Sequence, residues 1–334
     1  MKIIPLFVFT LIICLTTSFI VNSAQLFNPP RGDVRILVIS DLNSAYGSTS
    51  YEPEVAKAMD LMSFWQPDLV ICAGDMIAGQ SLQLTPNQIK AMWSAFDQQV
   101  AKPIRDRGYS FAFTLGNHDA SSAKNAQGEY TFSQDRAIAA EYWTNSVDNL
   151  KLESLDSTGF PFYYTFQHQG IFFLVWDASS HLISPEQLTW IEESLASKSA
   201  QNAKMRIVIG HLPLYGVSVG RDRPGEVLAN TEYLQNLLTR YGVQLYISGH
   251  HHAYYPAYQG SLELLNAGVL GQGAKPLISG DFPPTQTVTV IDLHWQSPEL
   301  NSYTTYDMRT LELIDPQQLP PFLSSHNGRI WRQD

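Results

Sequence analysis

The segment "VRILVISDLN", residues 34–43, decides how the rest of the chain is interpreted. Its first six residues form an apolar run interrupted only by Arg35, which is typical of a strand buried in an α/β protein. The run ends on Asp41 and Asn43. Their side-chain oxygens either close an Asx turn or face a ligand, and this segment alone leaves both interpretations open.

Similar apolar runs recur and alternate with helical patterns. We predict strands at residues 34–40, 69–73, 111–115, 171–176, 207–209 and 245–248, and helices at residues 53–64, 86–104, 133–143, 185–195 and 231–241. Two further strand patterns, "SLELLNAG" and "TVTVIDLHW", follow. This alternation predicts an α/β fold with one domain at residues 30–296, followed by a proline-spotted C-terminal extension at residues 297–334.

The composition narrows the class of protein. With 334 residues and 44% hydrophobic content, the chain can build a large core. It carries 21 Lys and Arg against 31 Asp and Glu, a net charge of -10. Because a protein that binds a nucleic-acid backbone needs a basic surface, we expect no binding to a nucleic-acid scaffold, while a local cationic pocket stays open.

The N-terminus, residues 1–24, has the pattern of a secretory signal peptide. Lys2 precedes an apolar run, and the small residues Ser23 and Ala24 offer a cleavage site. We expect an exported protein, periplasmic or extracellular, with no stable membrane anchor after cleavage. An uncleaved N-terminal anchor is the alternative, because about 20 apolar residues can span a bilayer. Cleavage would leave Cys72 as the remaining cysteine, and so no disulfide within the chain.

Residues that can bind metals follow five of the predicted strands. The C-terminal ends of neighbouring strands line one edge of an open α/β sheet, so we expect these residues to meet at one site. Taken singly, each block is an ordinary turn, but turn chemistry does not explain all five in this order. The blocks are Asp41-Leu42-Asn43, Gly74-Asp75, Gly116-Asn117-His118-Asp119, Gly210-His211 and Gly249-His250-His251-His252.

The residue types in these blocks indicate the chemistry. Carboxylates, imidazoles and carboxamide oxygens suit divalent first-row metals, and there are more of them than one ion can use. Two ions about 3.5–4 Å apart would clamp the attacking and leaving oxygens of a displacement at phosphorus. In an extended chain His250 and His252 point to one side and His251 to the other, so two of the three can be ligands.

These blocks resemble the calcineurin-like metallophosphoesterase family, whose motifs run Asp-x-His, Gly-Asp, Gly-Asn-His-Asp/Glu, Gly-His and Gly-His-x-His. The resemblance covers residues 34–295, and "HLPLYG", residues 211–216, is similar to the purple-acid-phosphatase-like branch. It implies a four-layer α/β/β/α sandwich of two mixed sheets flanked by helices. It also implies hydrolysis of phosphomonoesters or phosphodiesters by a metal-bridging hydroxide, with two divalent ions (Mn, Mg, Fe or Zn).

The resemblance also implies a role for each matching residue. Asp75 would bridge the two ions, and Asp41 and His252 would hold the first. His118 would stabilise charge on the phosphoryl group or protonate the leaving oxygen, and Asp119 would orient it. The ligands of the second ion would be Asn117, His211 and His250.

The chain departs from the family at Asn43, where the Asp-x-His motif has a histidine. Purple acid phosphatases also lack that histidine, but they carry a tyrosine three residues after the bridging aspartate, where this chain has Ala78. We expect Asn43 to ligate the first ion through its oxygen or to leave room for water. Either arrangement favours Mn or Mg over Fe(III).

The loops suggest the substrate contacts. Arg221 and Arg223 are candidates because a guanidinium matches phosphate bidentately, although a solvated surface loop fits the segment equally well. Lys275 is a weaker candidate. Tyr215 is a further substrate candidate, as part of an aromatic wall that would also contain Tyr46, Tyr254 and Tyr255.

The alternative function is a non-catalytic binding or scaffold domain with a decayed metal site. Only Asn43 supports it. A decayed site predicts the loss of several ligand positions, yet six of the seven are intact.

Overall fold

The computed structural model describes residues 26–333, so the predicted signal peptide lies outside the described residues. The strands are β1 Val34–Ile39, β2 Leu69–Cys72, β3 Ser110–Phe113, β4 Glu153–Gly159, β5 Tyr163–His168, β6 Ile171–Val175, β7 Met205–Ile209, β8 Leu245–Ser248, β9 Tyr254–Gln259, β10 Leu262–Ala267, β11 Thr287–Leu293, β12 Ser302–Asp307, β13 Phe322–Ser325 and β14 Gly328–Arg332.

The helices are α1 Pro53–Trp65, α2 Pro86–Phe96, α3 Lys102–Asp106, α4 Asn117–Ala120, α5 Ser133–Thr144, α6 Pro185–Ala196, α7 Lys198–Gln201 and α8 Thr231–Arg240. A π-helical turn occupies Asp97–Ala101, and short 3₁₀ turns occupy Val147–Leu150, Pro298–Leu300 and Pro316–Gln318. No helix within residues 26–333 combines the length and the apolar character that crossing a membrane requires.

The strands form two mixed sheets. The smaller has five strands in the order β12-β11-β1-β2-β3, and the larger has nine in the order β13-β14-β9-β10-β8-β7-β6-β5-β4. In the smaller sheet β1, β2 and β3 are parallel, and Ile39 pairs with Cys72 and Cys72 with Phe113. In the larger sheet β7 and β8 are parallel, and Ile209 pairs with Ile247. In each sheet, the carboxyl ends of these parallel strands therefore lie together at one edge.

Alternating side chains of β1 face two different cores, as the pleat of a strand requires. Ile36 and Val38 pack between the sheets with Phe166 of β5. Leu37 and Ile39 face the opposite way, toward α1, α2 and α5. Helices α6 and α8 contact β6 and β10 of the larger sheet. The predicted fold class, two mixed sheets flanked by helices, is confirmed.

The helix predicted at residues 86–104 is instead three pieces. Helix α2 ends at Phe96, the π-helical turn follows, and α3 begins at Lys102. The Lys102 N–H bonds the Asp97 carbonyl, five residues back. Pro103, near the start of α3, has no N–H to donate, so a continuous α-helix through this point would lose a hydrogen bond.

Residues beyond 297 add strands to both sheets. Strand β12 pairs with β11 in the smaller sheet, and β14 pairs with β9 in the larger. These residues are thus part of the sandwich, while the boundary between 296 and 297 stays a prediction. Cys72 is buried and free.

Candidate metal centre

The two sheets deliver their polar loops to a common place. Asp41 and Asp75 follow β1 and β2 of the smaller sheet, whereas His211 and His250 follow β7 and β8 of the larger. Contacts cross between the two sets: the His250 N–H donates to Asp41 Oδ2 over 3.1 Å, and His211 Nε2 lies 3.3 Å from Asp75 Oδ2. The site therefore bridges the two sheets.

Two groups of side chains at this place could each hold a metal ion, and both contain Asp75. Asp75, His211 and His250 form one group, and Asp41, Asp75 and His252 form the other. In each group the donor atoms lie within 4.8 Å of one another. Asp75 thus stands where a bridging carboxylate is needed, and the division of ligands matches the one that the family resemblance implies.

The structure offers a test of whether metal ions fit here. Among the described residues, Asp75 Oδ2 and His252 Nε2 are buried without a hydrogen-bond partner. Each nevertheless has a potential ligand close by, since His211 Nε2 lies 3.3 Å from Asp75 Oδ2 and Asp41 Oδ1 lies 3.1 Å from His252 Nε2. Ligand bonds of about 2.0–2.2 Å would place adjacent ligand atoms about 3 Å apart. The donor set fits two ions, which would satisfy both atoms.

The charges of the site are interdependent. Burial by itself raises the pKa of Asp75, but the neighbouring His211 and His118 outweigh it and hold that pKa well below its usual range. Burial disfavours protonation of His211, yet the Asp75 carboxylate outweighs it and raises the pKa of His211 to about 9. Burial, reinforced by the charge of Arg221, lowers the pKa of His250 well below its usual value. The carboxylate at the shared position is therefore kept ionised.

Asn117 joins the second group through its side-chain oxygen. Its Oδ1 lies 3.1 Å from His211 Nε2, while its Nδ2 donates to Gln80 Oε1 over 2.6 Å. Because Gln80 takes the amide nitrogen, the carboxamide oxygen is the atom directed to the site. Gln80 was not predicted from the sequence, since it lies in a loop with no pattern that marks it.

The backbone at the ligand positions is unusual. Asp41, Asp75, His250 and His252 have φ values of 51°, 54°, 64° and 53°, in the left-handed region. Such conformations cost about 1–3 kcal/mol each and concentrate at functional sites. Their neighbour Gly249 is required for space, because a Cβ there would lie 2.5 Å from Asp41 Oδ2.

His251 lies on the other side of the histidine segment and is not in either group. Its Nδ1 accepts the Val217 N–H over 3.1 Å, and its Nε2 contacts the Glu226 carbonyl oxygen at 3.0 Å. The turn with left-handed His250 and His252, rather than an extended strand, separates the three rings. His251 therefore fastens the loop at residues 217–226 to the site.

His118 stands beside the candidate metal groups. Its Nε2 is 4.0 Å from Asp75 Oδ2, and its Nδ1 is 3.1 Å from the Gly79 carbonyl oxygen. The ring of Tyr46 packs against it, with centroids 5.2 Å apart. Since Nδ1 donates to Gly79, Nε2 is the nitrogen left for a substrate.

Asp119, which the family motif implies would orient His118, makes no hydrogen bond to it among the bonds of the described residues. Its Oδ2 accepts the Gly116 N–H over 2.8 Å, and its Oδ1 accepts the N–H groups of Met76 and Ile77 over 2.8 and 2.9 Å. Helix α4 begins at Asn117, so a carboxylate at the third helical position turns back toward the residue before the helix. Asp119 thus joins the Gly116 loop to the Asp75 loop.

Asn43 is buried next to Asp75. Its N–H donates to the Asp75 carbonyl over 3.2 Å, and its own carbonyl accepts the Gln272 N–H over 3.1 Å. Among the hydrogen bonds of the described residues, none uses the Asn43 carboxamide, so the Asx-turn interpretation gains no support. Its role as a ligand stays a prediction.

A cleft of about 430 Å³ lies over the second group. The predicted substrate candidates Arg221, Arg223 and Lys275 line it, and so does Glu226, which was not predicted. Glu226 lies in the same loop as the two arginines. The other residues that line the cleft include Tyr46, Gln80, Asn117, His118, Ser180, His181 and His250.

Tyr215, which was predicted as a substrate residue, does not line this cleft. It is 6% exposed, and its hydroxyl donates to Gln235 Oε1. Tyr254 and Tyr255 are also buried, at the start of β9, so of the four tyrosines suggested for an aromatic wall only Tyr46 lines the cleft.

The fold of two mixed sheets and the two ligand groups sharing one aspartate define a metallophosphatase class of protein. In agreement, the sequence profile of the calcineurin-like phosphoesterases matches residues 34–254. The chain therefore belongs to the calcineurin-like phosphoesterase family.

Individual relatives are distant. Probable purple acid phosphatase 20 of Arabidopsis thaliana is 22% identical over 228 residues, which are 68% of this chain and 47% of that protein. Purple acid phosphatase PPD1 from yellow lupin (Lupinus luteus) seeds aligns with a TM-score of 0.60 and 16% identity over 86% of this chain and 54% of its own. A dimetal phosphatase from Danio rerio aligns with a TM-score of 0.52 and 13% identity over 81% of this chain and 95% of its own. The chain spans about half the length of these two purple acid phosphatases.

Proposed function

We propose that the protein is a metal-dependent phosphoesterase that hydrolyses phosphomonoesters or phosphodiesters of small molecules at a dinuclear site. One observation carries the proposal: two candidate ligand groups share Asp75, and two of their buried donor atoms have no hydrogen-bond partner among the described residues. Membership of the calcineurin-like phosphoesterase family supports it.

Each residue has a definite task in this reaction. Two divalent ions, when bound, would activate water as the nucleophile and polarise the phosphoryl oxygens. Asp41 and His252 would hold the first ion, His211 and His250 the second, and Asp75 both. Asn117 would add its carboxamide oxygen to the second ion.

His118 would serve the leaving oxygen. The Gly79 carbonyl accepts the Nδ1–H, so in the protonated ring, where both nitrogens carry a hydrogen, Nε2–H can donate a hydrogen bond or its proton to the ester oxygen as the P–O bond breaks. Arg221 and Arg223 lie in the cleft where guanidinium groups can bind phosphate oxygens. Lys275 adds a further cationic side chain to the same cleft.

The proposed metals at the first position are Mn or Mg. Ala78, three residues after Asp75, offers no phenolate, and the ring of Tyr46 packs on His118 and is 63% exposed. A neutral carboxamide at Asn43 suits a hard, weakly held ion. The assignment would be contradicted if anomalous scattering from crystals of the metal-loaded protein revealed Fe(III) bound to a tyrosinate.

Export is also part of the proposal. The arrangement of Lys2, an apolar run and the small residues Ser23 and Ala24 supports a cleaved signal peptide. Mass spectrometry of the mature protein tests it, because cleavage predicts an N-terminus just after residue 23 or 24. A mature protein that retains residues 1–24 would favour the membrane anchor instead.

The decisive experiment is hydrolysis of p-nitrophenyl phosphate and bis-p-nitrophenyl phosphate with added Mn²⁺. We expect Asp75→Ala to abolish release of p-nitrophenol and His118→Ala to lower kcat by about 10²–10⁴-fold, the usual range for a general acid. Asp148→Asn, at an exposed position, is the matched control and should keep wild-type activity. Inactive wild-type protein that holds fewer than one ion per chain would favour the scaffold domain.

A further inference from the structure

Glu226 touches two neighbouring histidines of the site. Its carboxylate oxygen Oε2 lies 3.0 Å from His250 Nε2, and its backbone carbonyl oxygen lies 3.0 Å from His251 Nε2. The carboxylate is itself braced by Arg223, whose Nη2 lies 2.9 Å from Oε1. The His250 side chain is 7% exposed and that of Glu226 23% exposed, so the contact is largely shielded from water.

The neighbours of His250 select one tautomer. Arg221 Nη1 lies 3.2 Å from His250 Nδ1. A guanidinium can only donate hydrogen bonds, so Nδ1 must present its lone pair. The proton of the neutral ring then sits on Nε2, where the Glu226 carboxylate accepts it. Two contacts thus agree on the Nε2–H tautomer, in which the lone pair that an ion would need is on Nδ1.

We infer that Glu226 is a positioning residue for the second metal site, an inference that rests on the proposed dinuclear function. By accepting the Nε2–H of His250, it fixes the tautomer and the orientation of the ring and makes Nδ1 a stronger donor. Partners of this kind behind a metal-binding histidine typically change metal affinity by about 10–100-fold.

Glu226 also links the loop that lines the cleft to the second metal site. It belongs to the loop that carries Arg221 and Arg223, and that loop lines the cleft. A single residue therefore connects the loop proposed to bind phosphate with a ligand of the second ion. Asp41 and His252, which belong to the other ligand group, make no contact with Glu226 among the contacts of the described residues.

The test is calorimetric titration of metal-free protein with Mn²⁺. We expect Glu226→Ala to weaken one of the two binding events by about 10–100-fold and to leave the other unchanged. Glu226→Gln retains an oxygen that can accept the Nε2–H, so it should recover most of the lost affinity. Glu232→Ala removes the same charge from an exposed nearby position and should bind both ions as the wild type does.

Three results would overturn the inference: wild-type affinity in Glu226→Ala, an equal loss in Glu226→Gln, or an equal loss in Glu232→Ala. A measurement on the wild type does not depend on the folding of a variant. Long-range ¹H–¹⁵N correlation spectra of metal-free protein should give His250 the shifts of an Nε2–H tautomer, and an Nδ1–H tautomer would refute the role. If wild-type protein binds two ions but hydrolyses no ester, the proposed function fails while the inference about Glu226 stands.

Discussion

At the scale of single residues, the sequence motif predicted the position of Asp119 but not the hydrogen bonds that its carboxylate makes. The sequence block Gly116-Asn117-His118-Asp119 predicted a carboxylate near His118, and that is where it lies. Its oxygens, however, bind three backbone N–H groups from two loops. Burial, followed by the charge of Asp75, raises its pKa to about 7. The spacing of residues in the sequence predicts which side chains lie at the site. The hydrogen-bond partner of each side-chain atom depends on how the loops pack.

The variant Asp119→Asn distinguishes a carboxylate that joins the two loops from one that orients His118. Its amide can accept the N–H groups of one oxygen but presents a donor to the remaining N–H, leaving it unsatisfied. We expect the free energy of unfolding of metal-free protein to fall by about 1–3 kcal/mol in urea titrations. A carboxylate that merely oriented His118 would leave this free energy unchanged and would lower only kcat. Asp148→Asn, on the surface, controls for the loss of a negative charge.

The same contrast explains which site residues were predictable. Asp41, Asp75, His211 and His250 stand directly after apolar strands, where their type and position are visible in the sequence. Glu226 and Gln80 lie in loops, and only the folded chain brings them to His250 and Asn117.

At the scale of secondary structure, the apolar strands were predictable, whereas β4, β5, β9 and the strands beyond residue 297 were not. β1, β2, β7 and β8 are mostly apolar and buried along their length, as strands covered on both faces are. β4, "ESLDSTG", is largely exposed and has no apolar pattern, and its antiparallel pairing with β5 is irregular, with register shifts between Glu153, Asp156 and Gly159. The π-helical turn after α2 likewise follows from Pro103 and could not be placed from periodicity alone.

Strand β5 ends in a buried histidine that predicts a pH dependence of stability. His168 is 6% exposed, and neither ring nitrogen has a hydrogen-bond partner among the described residues. Burial lowers its pKa in the folded state, although Glu153 and Asp68 oppose the shift. Below the unfolded-state pKa of about 6.5, the unfolded chain binds the extra proton, so stability is lost as the pH falls through that value.

The measurement compares wild type and His168→Leu in urea at pH 7.5 and pH 5.5. We expect the wild type to lose more free energy of unfolding than the variant over this interval, with a difference of up to about 1.4 kcal/mol per pH unit. His294→Gln, outside the buried core, should keep the wild-type dependence. Equal losses in wild type and His168→Leu would show that His168 does not contribute.

At the scale of the whole molecule, the site joins elements that are far apart in the chain. Asp41 and Asp75 come from the smaller sheet and His211, His250 and His252 follow strands of the larger one, so each proposed ion would connect both sheets. The sequence predicted this convergence because strand ends share an edge in α/β folds. It did not predict that strands beyond residue 297 complete both sheets. β12 pairs with the preceding strand β11 but its sequence, "SYTTYD", is not an apolar run, and β14 pairs with β9, which lies far back in the chain.

This arrangement predicts that metal binding stabilises the whole sandwich. A ligand that binds only the folded state at about 100 times its Kd adds about 2.7 kcal/mol to the free energy of unfolding. We therefore expect Mn²⁺ to raise the Tm of the wild type above its value in EDTA, as followed by circular dichroism. Asp75→Asn should lose this increase, because it removes the shared carboxylate, whereas Asp148→Asn should retain it. An equal Mn²⁺-dependent increase in Asp75→Asn would mean that the ions bind elsewhere and that the two sheets are held by their apolar core alone.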